Sequence, residues 1–217
     1  MKELREGGSD AALFLLRREG KVVIAKNGVP DRFLIERRTM MRIALDTETT
    51  GMNPGRGDEI LSLSIVDGDG DVLFDGFFKP RNKATWESAS RINSINPDDV
   101  EDCPSIDDCL DEIQGIIDSA DEIVMYNARF DKGFLEAAGV EFGYGTRIVD
   151  TMLEFSKAMN DHDGRHGHTG WFKLTEATAI IGYQWTGAAH GSLADARATL
   201  AVQEWLDERQ EEDCDPF

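Results

Sequence analysis

From residue 41 onward, hydrophobic residues first form short apolar runs and later recur at helical spacing. Runs at Arg42–Asp46, Glu59–Val66 and Val72–Phe78 predict three β-strands. The last two are joined by Asp67-Gly68-Asp69-Gly70, a sequence typical of a tight hairpin turn. We therefore expect the three strands to form an antiparallel meander.

Beyond the meander, predicted strands and helices alternate. Two further strands are expected at Ile123–Tyr126 and Arg147–Asp150, and Asp150 is interpreted as the N-cap of the next helix rather than as a metal ligand. Helices are predicted at Ile106–Ile117, Phe130–Ala138, Thr151–Met159, Lys173–Ile181 and Ser192 to about Arg209. This order predicts an α/β fold in which helices flank a mixed five-stranded sheet.

Residues 1–40 have a different pattern and look like an appendage. Lys21–Ala25 and Arg32–Ile35 are strand-like, and the turn sequences between them, such as Asn27-Gly28, predict a small hairpin. An alternative is that Met41 is the natural start and residues 1–40 are an extension. The predicted organisation is an N-terminal extension at 1–40, one domain at 41–209 and an acidic tail at 210–217.

The charge of the chain is strongly acidic and unevenly distributed. There are 42 Asp and Glu against 23 Lys and Arg, for a net charge of −19. Residues 1–40 hold nine Lys and Arg against six Asp and Glu, whereas residues 41–217 hold fourteen against thirty-six. Such a body would repel a long nucleic-acid backbone. The charge therefore argues against tight non-specific DNA binding, but not against an enzyme that holds only a strand end through metal ions.

Three cysteines without a C-x-x-C pair, no signal peptide and no membrane-length apolar run predict a cytoplasmic protein that does not contact membranes. His162, His166 and His168 cluster in a Gly-rich stretch that lacks cysteines. We interpret that stretch as a loop, and the alternative is a zinc site.

The candidate chemistry begins at the end of the first meander strand. Asp46 and Glu48 are two residues apart, so in a strand both carboxylates point to one side. Two like charges at so short a distance repel each other unless a cation lies between them. Hard ions such as Mg²⁺ or Mn²⁺ bind oxygen ligands of this kind. The alternative is a strand that ends in a solvated acidic turn.

Two later motifs add polar groups of the same kind. Y-N-A-R-F-D, residues 126–131, follows a predicted strand and places Asp131 in the first turn of a helix, where the helix dipole stabilises a carboxylate. H-G-S-L-A-D, residues 190–195, places His190 before the last helix and Asp195 about one turn into it. Taken singly, each of these residues is also common as a helix cap or as an exposed loop residue.

Together, D-T-E-T-T-G at residues 46–51 and the two later motifs resemble the DEDDh (DnaQ-like) 3′-5′ exonuclease family. Within that family, D-T-E-T-T-G-M-N is similar to the proofreading epsilon subunit of bacterial DNA polymerase III. The resemblance covers residues 41–209 and implies a ribonuclease H-like fold, which agrees with the predicted order of strands and helices.

The resemblance also implies roles for particular residues. Four carboxylates would hold two divalent ions, Mg²⁺ or Mn²⁺: Asp46, Glu48, Asp131 and Asp195. His190 would act as general base, and four residues would bind the 3′-terminal nucleotide: Thr49, Gly51, Met52 and Asn127. The implied reaction is hydrolysis of terminal phosphodiester bonds of single-stranded DNA from the 3′ end, which releases nucleoside 5′-monophosphates.

The chain departs from the family pattern at Tyr126, Ser192 and Ser62, where relatives often carry His, Ala and Glu. These departures leave the substrate open, and the alternative is an exoribonuclease similar to oligoribonuclease or ribonuclease T. A non-catalytic interaction module is a further alternative, although such a module need not keep all four carboxylates. The short acidic end favours a free-standing enzyme, with a polymerase partner and a homodimer left open.

Overall fold

The computed structural model describes residues 2–3, 13–18, 21–26, 29–30, 40–163, 170–185 and 191–214. The chain divides into two compact units, residues 1–40 and residues 41–217. The first unit has a four-stranded antiparallel sheet in sequence order, made of β1 (Lys2–Glu3), β2 (Leu13–Arg18), β3 (Lys21–Lys26) and β4 (Val29–Pro30).

The structure describes only part of the hairpin predicted in this first unit. Strand β3 pairs with β4 on either side of positions 27 and 28, but it also pairs along its whole length with β2. The expected partner, Arg32–Ile35, lies outside the described residues. Leu13–Arg18 alternates too weakly for its sequence to distinguish a strand from a helix, so only its pairing decides that it is a strand.

The second unit contains the predicted mixed five-stranded sheet. Its strands are β5 (Arg42–Thr49), β6 (Ile60–Asp67), β7 (Val72–Phe77), β8 (Glu122–Met125) and β9 (Arg147–Asp150). They lie in the order β7-β6-β5-β8-β9. The antiparallel pairs β5–β6 and β6–β7 confirm the meander, and β8 and β9 run parallel to β5. Strand β5 is therefore at the centre.

Six helices surround this sheet in the described residues: α1 (Glu87–Asn93), α2 (Leu110–Ser119), α3 (Ala128–Ala138), α4 (Thr151–Asp163), α5 (Leu174–Ile181) and α6 (Ser192–Cys214). Helix α1 was not predicted, because its one buried residue is the polar Asn93 and it has no apolar stripe. The expected helix start at Ile106 is wrong, since a 3₁₀ turn at Ile106–Cys109 precedes α2. Helix α6 continues five residues past Arg209, into the predicted tail.

The two faces of β5 pack against different helices. Ile43 and Leu45 belong to a core with residues of α2 and α3, including Ile113 and Phe134. Ala44, which points the other way, packs against α6. This alternation confirms a sheet covered on both faces. No helix of the described part of the chain is long and apolar enough to cross a membrane.

Candidate metal centre at the end of the central strand

The carboxyl end of β5 carries two of the four predicted carboxylates. The strand does not end at Asp46, as expected, but continues to Thr49, so Asp46 and Glu48 both lie within it. They stand opposite Ser64 and Ser62 on β6. The parallel ladder with β8 ends earlier, at Ala44. The last residues of β5 therefore extend beyond the ladder with their neighbour on that side.

The third carboxylate comes from the helix that covers this face of β5. Asp195 lies in the first turn of α6, where its backbone N–H donates to the Gly191 carbonyl at 3.0 Å. One carboxylate oxygen from each of Asp46, Glu48 and Asp195 lies within 4.8 Å of the other two. Three oxygen donors this close together form a group that can hold a metal ion.

The fourth carboxylate reaches the same place from the opposite face. Asp131 lies in the first turn of α3, as predicted, and is 3% exposed. Its Oδ1 accepts hydrogen bonds from the Thr47 backbone N–H at 3.0 Å and from the Thr47 hydroxyl at 2.7 Å. Strand β8 no longer pairs with β5 at Thr47, so the Thr47 N–H would be buried without an acceptor if the Asp131 carboxylate did not accept its hydrogen bond.

The electrostatics of the cluster favour a bound cation. Burial, and then the charges of the other three carboxylates, raise the pKa of Asp46 well above its usual range. Burial and the charge of Asp195 raise the pKa of Glu48 to about 8. Burial raises the pKa of Asp131 to about 7, although its hydrogen bonds to Thr47 oppose the shift. These carboxylates repel one another when ionised, so a cation bound between them would stabilise their charged forms.

The donor set fits a hard divalent ion. Its ligands are carboxylate oxygens only, with no cysteine among them, and such ligands suit Mg²⁺ and Mn²⁺ better than softer metals. Among the described residues, no ion pair involves Asp46, Glu48 or Asp131. The described residues therefore leave these three carboxylates without a cationic partner.

A chain of buried hydroxyl groups fastens α6 beside the carboxylates. The Ser192 Oγ lies 2.5 Å from the Ser62 Oγ and 2.7 Å from the Ser64 Oγ. The Ser64 hydroxyl donates to Asp75 Oδ1 at 2.7 Å. Ser192 begins the helix that carries Asp195, and Ser62 and Ser64 stand opposite Glu48 and Asp46 in the sheet. This serine network, Ser62, Ser64 and Ser192, therefore links α6 to the strand beside β5.

Asn93 is a second contact that the sequence did not indicate. Its side-chain amide lies near the Glu48 carboxylate and lowers the pKa of Glu48, which opposes the effect of burial. Its Nδ2 also donates to the Thr49 carbonyl at 3.2 Å, and its Oδ1 accepts from the Ile95 N–H at 3.1 Å. No local pattern in the sequence marks Asn93, because α1 has no apolar stripe.

The four residues expected to bind a nucleotide follow or face the cluster. The Thr49 hydroxyl donates to the Gly51 carbonyl at 2.6 Å. A Cβ at Gly51 would lie 2.4 Å from Asp58, whose carboxylate accepts from the Asn53 N–H at 2.9 Å, so only glycine fits this tight loop. The loop leaves Met52 78% exposed.

Asn127 occupies the N-cap position of α3, four residues before Asp131. The next helix confirms the interpretation of Asp150, whose Oδ1 accepts from the Leu153 N–H at 3.0 Å as an N-cap. Its Oδ2 also accepts from the Ala128 N–H at 3.1 Å, so one aspartate caps two helices. His190 lies outside the described residues, as do His166 and His168 and the side chain of His162.

Comparison with known proteins places these residues in a family. Residues 43–203 match the RNase_T family, described as Exonuclease. Among curated proteins, DNA polymerase III PolC-type of Staphylococcus haemolyticus (strain JCSC1435) is 30% identical over 154 residues, which are 67% of this chain and 10% of the polymerase. The polymerase of Staphylococcus epidermidis is also 30% identical, over 58% of this chain and 9% of its own. The chain thus spans about a tenth of these relatives.

Solved exonucleases share the fold. Exonuclease X, solved with 5′ overhanging duplex DNA, has a TM-score of 0.59 at 19% identity and covers 78% of this chain and 93% of its own. E. coli Exonuclease I, solved with a dA16 oligonucleotide, has a TM-score of 0.64 at 19% identity and covers 80% of this chain and 42% of its own. From the family match, the chain belongs to the RNase_T exonuclease family and carries its exonuclease domain.

Proposed function

We propose that this family member removes nucleotides one at a time from the 3′ ends of single-stranded DNA and releases nucleoside 5′-monophosphates. The observation that carries the proposal is the cluster of Asp46, Glu48 and Asp195, whose carboxylate oxygens lie within 4.8 Å of one another. Asp131 is close enough to raise the pKa of Asp46, so four acidic groups converge where β5 ends. Such a site suits phosphodiester hydrolysis assisted by divalent metal ions.

Each of the chain's own residues would have a distinct task. Asp46, at the centre of the cluster, would bridge two divalent ions, Glu48 and Asp195 would hold one of them, and Asp131 would support the other. Bound ions would supply a water of lowered pKa and a Lewis acid for the leaving 3′ oxygen. His190 would accept the proton of the attacking water, a task suited to an imidazole near neutral pH.

The loop after β5 would seat the terminal nucleotide. Exposed Met52 offers an apolar surface to the last base, and Thr49, Gly51 and Asn127 would hold its sugar and phosphate. The acidic surface of residues 41–217 supports a substrate held by its end rather than along its length. Among the similar structures, E. coli Exonuclease I was solved with single-stranded DNA, which supports this substrate.

The test offers the full chain 3′-labelled and 5′-labelled single-stranded DNA, duplex DNA and RNA in the presence of Mg²⁺. We expect shortening from the 3′ end, fastest on single-stranded DNA, and a mononucleotide product that carries its phosphate on the 5′ carbon. Asp46→Asn should abolish the activity, and Asp111→Asn, on the exposed face of α2, should retain it. Faster digestion of RNA than of DNA would favour the exoribonuclease alternative. A failure to digest any of the substrates would refute the proposal.

A second candidate function is proofreading beside a DNA polymerase, which the likeness to PolC-type polymerases favours. A proofreading exonuclease should act faster on a primer with a mismatched 3′ end than on a paired one, because the mismatched end is already partly single-stranded. Equal rates on both primers would argue for a free-standing enzyme.

A further inference from the structure

A cleft between the loop after β5 and the start of α3 contains an arginine to which no function has yet been assigned. The cleft holds about 430 Å³ and lies between the loop at Met52 and Asn53 and the first turns of α3, at Asn127, Arg129 and Phe130. Arg129 is exposed and, among the described residues, is the only charged one that lines the cleft. The cleft is therefore a groove with one positive charge, next to residues proposed to hold the terminal nucleotide.

Arg129 differs from the other cation on the same helix. Lys132 pairs with Glu136 one turn further along α3 and lies over the ring of Phe142, 5.1 Å from its centroid. Within the described part of the chain, Arg129 has no carboxylate partner within 4 Å. In a domain with thirty-six acidic residues and fourteen basic ones, an unpaired guanidinium in a groove suits an anionic ligand.

We infer that Arg129 binds a backbone phosphate of the DNA strand on the 5′ side of the bond that is cut. The inference rests on the proposed function, because it takes the terminal nucleotide to lie at Met52 and Asn127. The rest of the strand must then leave the metal centre along the surface next to these residues, and the cleft with Arg129 is lined by both. A guanidinium presents paired N–H donors that match two phosphate oxygens.

Arg129 acts on binding of the strand and not on the bond that breaks. Its loss should raise KM for a single-stranded oligonucleotide about tenfold and leave kcat within about twofold, since one charge-assisted contact contributes about one order of magnitude in affinity. Each phosphate contact on a single strand also adds about 0.7 to the slope of log affinity against log salt concentration. Arg129→Ala should therefore reduce that slope by about 0.7.

The experiment measures kcat and KM for wild type, Arg129→Ala, Arg129→Lys and Lys132→Ala at several KCl concentrations and fixed Mg²⁺. Lys132→Ala is the matched control, because it removes one positive charge from the same helix outside the cleft, and it should keep the wild-type salt slope. Arg129→Lys should keep the slope and part of the affinity. The same slope for Arg129→Ala and Lys132→Ala would overturn the inference.

A chemical probe then locates the phosphate. Two oligonucleotides each carry one uncharged methylphosphonate, at the second or at the third linkage from the 3′ end. One of the two should raise KM for wild type, and the same oligonucleotide should not raise KM further for Arg129→Ala. Additive losses at both positions would overturn the inference. If wild type digests no nucleic acid, the proposed function fails. If wild type digests DNA but Arg129→Ala behaves like the control, only this inference fails.

Discussion

The carboxylates at the two ends of the parallel strands differ in their charge partners. At the amino end, Glu122 is 5% exposed and lies between two arginines, with its oxygens 2.5 Å from Arg42 Nε and 2.7 Å from Arg147 Nη1. Arg42 also pairs with Asp207 of α6 at 2.7 Å. At the carboxyl end, Asp46, Glu48 and Asp131 have no ion-pair partner among the described residues.

This difference indicates that the ion pairs at the amino end support the fold, whereas the carboxylates at the carboxyl end form a candidate binding site. Burial by itself would lower the pKa of Arg42, but its bonds to Asp207 and Glu122 raise that pKa above its usual range, so the network is stable as folded. Burial and repulsion from the other carboxylates instead raise the pKa of Asp46, and a bound cation would offset that repulsion. The amino end should therefore govern stability and the carboxyl end activity.

The largest expected effect is on activity at the carboxyl end. Asp46→Asn should lower kcat on single-stranded DNA by a factor of about 1,000 or more, because it removes a charge at the centre of the proposed metal site. The same change should raise the melting temperature of the metal-free protein, since it relieves repulsion. Steady-state kinetics and thermal unfolding in a chelator test both. A variant that loses stability as well would show that Asp46 also supports the fold.

The converse change at the amino end should lower stability and spare catalysis. Glu122→Gln leaves the partly buried Arg42 with an uncharged and weaker partner, and the free energy of unfolding should fall by about 2 kcal/mol. Below the melting transition, kcat should stay within about twofold of wild type. Urea unfolding and kinetics at 15 °C below the midpoint measure the two effects. If kcat fell as strongly as for Asp46→Asn, the two ends would not be separable.

The pH dependence of stability should sharpen the contrast. The pKa of Glu48 is about 8 in the folded protein and near 4.5 when unfolded, so the folded state binds more protons between these values. Without metal, stability should therefore fall as pH rises from 5 to 8. Added Mg²⁺ should raise the melting temperature by several degrees more at pH 8 than at pH 5, because it binds the ionised carboxylates. An equal metal effect at both pH values would contradict a carboxylate site.

The smallest expected effect is at the serine network that holds α6 in place. Ser192→Ala should cost about 1–2 kcal/mol of unfolding free energy, because it leaves Ser62 without its partner in a buried place. It should also raise the Mg²⁺ concentration for half-maximal activity a few fold, through a small shift of Asp195. Ser119→Ala, an exposed serine on α2, is the control and should change neither quantity. A loss of stability without a change in Mg²⁺ dependence would show that the serine network supports folding and does not affect the position of Asp195.

Most of the fold and four of the site's residues could be predicted because their signals are local. Alternation along β5 already puts Asp46 and Glu48 on one side, and the glycine after α3 and the first-turn aspartates mark helix ends in the sequence. Asn93 could not be found in this way, because α1 has no apolar stripe. His190 stays a prediction from its motif.

The sequence by itself placed Asp46 and Glu48 on one side of a strand and Asp131 and Asp195 in the first turns of helices, since these patterns involve only near neighbours. Their role as metal ligands came from the family resemblance and stays a prediction. The tertiary structure alone decided how they meet. Asp131 bonds Thr47 across 84 residues, and Ser192 meets Ser62 across 130. Such contacts depend on the strand order β7-β6-β5-β8-β9 and on the early end of the β5–β8 ladder. The physical reason is that the Thr47 N–H lacks a partner strand, and that Ser62 is in place to meet Ser192, only after the sheet has formed.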